Sequence, residues 1–180
     1  AKVVAMMRQE ENRIEALHSH EEGMAVDRDG NLLFKKVGRK HSVPLNRDER
    51  ILMRDSVFTH NHPSAGSSFS GGDIQCCSAY NMRQIRAIGT DPEGNVWLHT
   101  ATRPEGGWKH TTSQVNRTMG QFKRKHNKEF NAEVMKLKYD NNNPAAYNNR
   151  RTALWNEMWH KVNVDTAKKF GYDYKRERIK

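Results

Sequence analysis

Apolar and polar positions recur along this chain with two different periods, and the switches between them mark its elements. Over residues 3–17, VVAMMRQEENRIEAL, the apolar positions Val3, Met6, Met7, Ile14 and Leu17 fall at roughly helical spacing. MAVDRDGNLLFKK (24–36) reads as a hairpin, with Asp27-Arg28-Asp29-Gly30 as its turn and Gly30 suited to a positive φ. DRDGN also looks like the start of a calcium loop, but no glutamate stands where such a loop ends, so it is taken as a turn. NRDERILMR (46–54) predicts a short helix with Asn46 as N-cap and Glu49 three residues later. SVFT (56–59) is a short apolar strand.

Further on, DIQCCSAYNMRQI (73–85) predicts a helix with Ile74, Cys77 and Ile85 on one face. RAIGT (86–90) and VWLHTAT (96–102) read as strands joined by the turn DPEGN (91–95). Two long amphipathic helices are expected over 112–139 and 145–172, separated by NNNP (141–144). In the second, Tyr147, Leu154, Trp155, Met158, Trp159 and Val162 form a stripe that reads as a core face. Together the elements predict an α/β fold, with a mixed β-sheet flanked by helices and a basic helical C-terminal extension.

Composition narrows the picture. The chain has 180 residues, 35% hydrophobic and 29% charged, which allows a modest core and much polar surface. No apolar run approaches the roughly 18 residues of a membrane span, and the N-terminus lacks the apolar stretch of a signal peptide. The only cysteines, Cys76 and Cys77, are adjacent and form no disulfide framework. The two read as small buried residues of a helix in a protein of the reducing cytoplasm.

Charge is distributed unevenly. Residues 1–110 carry 15 Lys/Arg and 14 Asp/Glu, or +1, whereas residues 111–180 carry 16 and 7, or +9. A nearly neutral catalytic or binding body over 1–110 and a basic extension over 111–180 with its own partner are therefore expected. KRKHNK (123–128), the Arg150-Arg151 pair and YKRERIK (174–180) fit nucleic acid, an acidic protein surface or a solvated face.

The candidate chemistry lies in THNHPSAGSSFSGGD (59–73). Alternation along a strand places His60 and His62 on one side, where two imidazoles form a natural pair of zinc ligands. Ser70 has the position of a helix N-cap, and Asp73, in the first turn, is an acceptable third ligand. Three protein ligands leave a fourth position for water, the mark of a catalytic site.

The complete spacing, His-x-His-x7-Ser-x-x-Asp, resembles the zinc signature of the JAMM (MPN+) metalloproteases. Its His-Asn-His-Pro form is similar to the prokaryotic branch, including RadC-like proteins and phage head-morphogenesis domains. The resemblance covers about residues 20–102. It implies zinc held by His60, His62 and Asp73, and peptide or isopeptide hydrolysis of a protein or peptide substrate. It further implies a serine, Ser70, that supports the oxyanion, and an upstream glutamate as general acid/base. Glu21 and Glu22 are the candidates, and alternation lets only one face the metal. Glu21 is favoured because it shares its side with Gly23 and Ala25, which leave room for a metal and water, whereas Glu22 sits with Met24 and Val26. His18 and His20 read as a surface pair, His99 lies on the VWLHTAT strand with either face open to it, and His41, His110, His126 and His160 show no partner pattern. The rival reading is a nucleic-acid-associated phage or mobile-element protein whose JAMM-like domain is a metal-binding interaction module.

Overall fold

Eleven elements organise the chain in the computed structural model, which describes residues 1–180. In chain order these are α1 (Lys2–Ile14), β1 (Glu22–Val26), β2 (Leu32–Val37), α2 (Arg47–Leu52), β3 (Val57–Asn61) and α3 (Gly71–Ala79). Then follow β4 (Gln84–Thr90), β5 (Val96–Thr102), α4 (Thr112–Lys136), α5 (Pro144–Phe170) and β6 (Asp173–Arg178). The six strands form one sheet in the order β2-β1-β3-β4-β5-β6. Only β3 and β4 run parallel, so the sheet is mixed and the architecture is α/β.

Period-two alternation divides the strand residues between two helical layers. Met24, Val26 and Val57 face α1 through Met7, and Ile88, Val96 and Leu98 face it through Ile14. Ala25, Phe58, Ile85, Ala87 and Ala101 point the other way. They join Ile74 and Cys77 of α3, Val115 and Met119 of α4, and Val162, Ala167 and Phe170 of α5 in the main core. Full burial of each large side chain contributes on the order of 1.5–3 kcal/mol.

The local signals hold up. Asn46 and Glu49 form a reciprocal capping box at α2. Asp27 accepts from the amides of Asp29 and Asn31, and Gly30 has φ 81°.

Three expectations are corrected. The helix expected over 73–85 ends at Ala79, because Asn81 adopts a left-handed φ of 48° and reverses the chain. Gln84 and Ile85 therefore begin β4, and Ile85 pairs with Ala101 rather than extending a helical face. The helix expected to reach Leu17 stops at Ile14. The third correction concerns the basic segment: the expected helices stop at Lys136 and Phe170, Gly171 caps α5 at φ 73°, and the chain turns into β6. DYKRER lacks apolar alternation, yet it pairs with β5 along its whole length, Trp97↔Arg178 to Thr102↔Asp173. Its side chains add contacts of their own: the Arg176 guanidinium lies 5.0 Å over the Trp97 ring. The division at residue 110 is thus no division of the sheet or of the core, since residues 111–180 supply the last strand and part of the main cluster.

The aromatic stripe on α5 is only partly a core face. Met158 and Val162 are buried, but Trp155 is 37% exposed. No helix is long and apolar enough to cross a membrane.

Candidate metal centre

The parallel strand β3 carries His60 into the cleft above the sheet. Its cross-strand neighbours are Gly23 on β1 and Ala87 on β4, so small residues flank the ring on both sides. Gly23 is required there: a Cβ would come within 2.5 Å of the Phe58 ring, which stacks on His60 at 5.6 Å. His62, two residues on, faces the same side. Asn61 between them points to the α1 side and is fully buried. Its amide donates to the carbonyls of Leu17 and His20, at 3.1 and 3.0 Å, and its oxygen accepts from Glu22 N at 2.6 Å. The middle residue of the His-Asn-His motif thus anchors the segment that delivers Glu21.

Ser70 caps α3 with a full capping box, and the first helical turn brings Asp73 to the histidines. His60 Nε2 and His62 Nε2 lie 3.0 Å apart, His60 Nε2 lies 3.2 Å from Asp73 Oδ1, and His62 Nε2 lies 3.5 Å from Asp73 Oδ2. The three residues could hold a metal ion. Ligand atoms about 2.0–2.1 Å from a tetrahedral centre are separated by about 3.3–3.4 Å, so these spacings fit one. Two imidazole nitrogens facing each other can share at most one hydrogen bond, whereas a cation would satisfy both lone pairs. His62 Nδ1 lies 2.7 Å from the Ser67 carbonyl, which fixes the proton on Nδ1 and leaves Nε2 as a lone-pair donor. His60 Nδ1 is buried without a partner.

Glu21 and Glu22 are separated as alternation demands. Glu21 is 8% exposed and lines a cavity of about 400 Å³ together with His60, His62, Ser70 and Asp73. Glu22 turns away to His20 and Arg13. Burial pushes the Glu21 carboxyl up from the ordinary range, against the pull of the two histidines. Burial opposes ionisation of Asp73 and His62 as well, but His60 and then His62 supply the counter-charge for Asp73, and Asp73 supplies that for His62. Asp73 is held well below the usual carboxylate range, and His62 is pushed up to about 8. The cysteines take no part as thiolates: burial pushes Cys76 up to about 11 and holds Cys77 well above the ordinary thiol range.

Five consecutive residues of the loop between His62 and Ser70 are each held by a different side chain. The Ala65 carbonyl accepts from Asn156 at 2.7 Å, and that of Phe69 accepts from Asn163 at 3.0 Å. Gly66 O lies 3.4 Å from His99 Nε2, Ser67 O bonds His62, and Ser68 Oγ bonds the Tyr174 hydroxyl at 2.8 Å. His99 and His160 both bond Tyr174 in turn. Gly66 packs on the backbone of Gly89, where either Cβ would intrude. Removing one neutral hydrogen bond costs about 0.5–1.5 kcal/mol. Tyr174→Phe is therefore expected to speed amide exchange in residues 65–69 by up to about tenfold while leaving β4 amides unchanged. Equal exchange in both proteins would show that the clamp does not hold the loop.

His99, whose side of the strand the sequence leaves open, belongs to this network. Burial, with the nearby His62 adding to it, holds it down at about 3. Its folded pKa lies below the unfolded value of about 6.5, so the unfolded chain binds more protons between those limits. Its stabilising contribution is full above about pH 6.5 and is lost as pH falls towards 3, at about 1.4 kcal/mol per pH unit. Urea denaturation at pH 7.5 and 5 should show a steeper loss in the native protein than in His99→Gln. Parallel slopes would refute the assignment.

The structure brings Glu21, His60, His62, Ser70 and Asp73 to one cavity. Sequence reasoning missed His41 on its rim and Asn156, Asn163 and Tyr174 behind the loop. None of these belongs to a short motif, and Tyr174 lies 106 residues from Ser68. Comparison with family models, with curated proteins and with solved structures gave no match to this chain.

Proposed function

We propose that the chain is a zinc-dependent hydrolase of peptide or isopeptide bonds, with His60, His62 and Asp73 as the metal ligands. The observation that carries this reading is the meeting of two imidazole nitrogens and the Asp73 carboxylate at N···N and N···O separations of 3.0–3.5 Å, with a buried carboxyl group, Glu21, lining the same cavity. Two imidazoles and a carboxylate suit zinc, and the resemblance of THNHPSAGSSFSGGD to the JAMM signature supports the same metal and reaction. When bound at such a site, zinc acidifies water towards a pKa of about 7 and polarises a carbonyl.

The chain's own groups do the rest. Glu21 takes the proton of the attacking water on its carboxylate and passes it to the leaving amine. Its raised pKa suits both halves of that task. Ser70 aims a hydroxyl at the developing oxyanion. Its hydroxyl donates to Asp73 Oδ2 at 2.8 Å, so this service requires rotation about its C–O bond. His62 is kept in one tautomer by Ser67.

The deciding experiment is metal content by mass spectrometry, on native protein and on His60→Ala/His62→Ala. About one zinc per chain, lost in the double variant, is expected for a site with one ligand set. Absence of zinc from native protein after reconstitution would remove the hydrolase reading.

A further inference from the structure

The helical hairpin of α4 and α5 carries two different flanks. On one, charges are matched between the helices: Lys125 and His126 pair with Asp165, and Lys161 pairs with Glu129. Lys123, two residues before Lys125, lies about 200° around α4 by helical geometry. There the crossing is aromatic and cationic. Lys123 Nζ sits 5.4 Å from the ring centres of both Trp155 and Trp159, and Phe130 packs edge-on against Trp155 at 5.5 Å. Phe130, Arg151, Thr152 and Trp155 line a shallow cup of about 340 Å³, with the indole of Trp155 37% exposed. Lys123, Arg124, Lys128 and Arg151 form no ion pair, although the chain makes such pairs widely elsewhere.

We propose that this flank binds a single strand of nucleic acid, with one base stacked on Trp155 and the backbone phosphates met by Lys123, Arg124 and Arg151. An exposed aromatic face among unpaired cations is the combination that single-stranded recognition uses, since every base offers a face and every nucleotide a charge. An acidic protein surface would need the cations but not the open ring. The +9 of residues 111–180 supplies the long-range attraction. The surface is separate from the metal centre, so the inference stands independently of the hydrolase reading.

The test is fluorescence anisotropy with a labelled 20-nucleotide oligothymidine and the full chain. Three phosphate contacts on a single strand predict a log–log salt slope of about −2.1, so affinity falls roughly 20-fold between 50 and 200 mM salt. Trp155→Ala is expected to weaken binding about tenfold without changing that slope, whereas Trp155→Phe, which keeps a ring, retains most of it. Lys123→Glu should weaken binding and flatten the slope. His60→Ala should leave all of these values unchanged. The proposal is overturned if no binding is seen at 50 mM salt. It is equally overturned if a polyglutamate of matched charge binds as tightly, which would make the partner an acidic protein. Loss of affinity in Trp155→Phe equal to that in Trp155→Ala would overturn the stacking role.

Discussion

Glu21→Gln is expected to lower cleavage of a peptide mixture by about 10²–10⁴-fold while zinc content stays at the native level. Glutamine has the same size and fills the same place in the cavity, but it cannot accept the proton of the attacking water. Glu22→Gln is the matched control. Glu22 is bonded to Arg13 and His20 outside the cavity, so its replacement should leave turnover within about twofold. Cleavage sites mapped by mass spectrometry give both rates on the same substrates. Undiminished cleavage in Glu21→Gln would remove the general-base assignment, and equal losses in both variants would point to a damaged strand instead.

The largest effect on stability is expected at Glu11. This residue of α1 is fully buried, and its carboxylate is gripped by Arg86 of β4 through Nε at 2.5 Å and Nη2 at 3.1 Å. Thr59 of β3 donates to it at 3.1 Å. Glu11→Ala leaves the Arg86 guanidinium buried without its counter-charge, which costs about 3–5 kcal/mol. For a chain of this size that is a drop of about 10–15 °C in Tm. The double variant Glu11→Leu/Arg86→Met removes both charges and should recover most of the loss. Calorimetry on the three proteins decides between the two costs. If the double variant is as unstable as Glu11→Ala, the pair itself holds α1 to the sheet.

The same residue shows where sequence reading stops. VVAMMRQEENRIEAL displays its apolar stripe plainly, and a glutamate beside that stripe looks solvated. Glu11 is buried because Arg86, 75 residues away, arrives on the same face of the sheet. Nothing near Glu11 in the sequence announces that. Strand β6 escaped for a related reason: DYKRER presents no apolar alternation, and its place is set by the open edge of β5. The features that could be read were short-range. The capping boxes at Asn46 and Ser70, the turn at Gly30 and the choice between Glu21 and Glu22 each follow from fewer than a dozen neighbouring residues. The meeting of His60, His62 and Asp73 was legible because one strand, one loop and one helical turn bring them together. The bonds that hold its loop come from α5, β5 and β6, and no local pattern encodes them.

The clamp on the 65–69 loop also sets an order of events during synthesis. His60, His62 and Asp73 leave the ribosome early, but the hydroxyl that ties Ser68 arrives with Tyr174, 106 residues later. Until then the sheet lacks its sixth strand and the loop lacks its restraint at Ser68, whereas His62, His99, Asn156 and Asn163 are already in place along the chain. A nascent chain therefore carries this loop incompletely held, and its last restraint is set only when β6 docks on β5. The strand that closes the sheet is thus also the one that completes the loop above it.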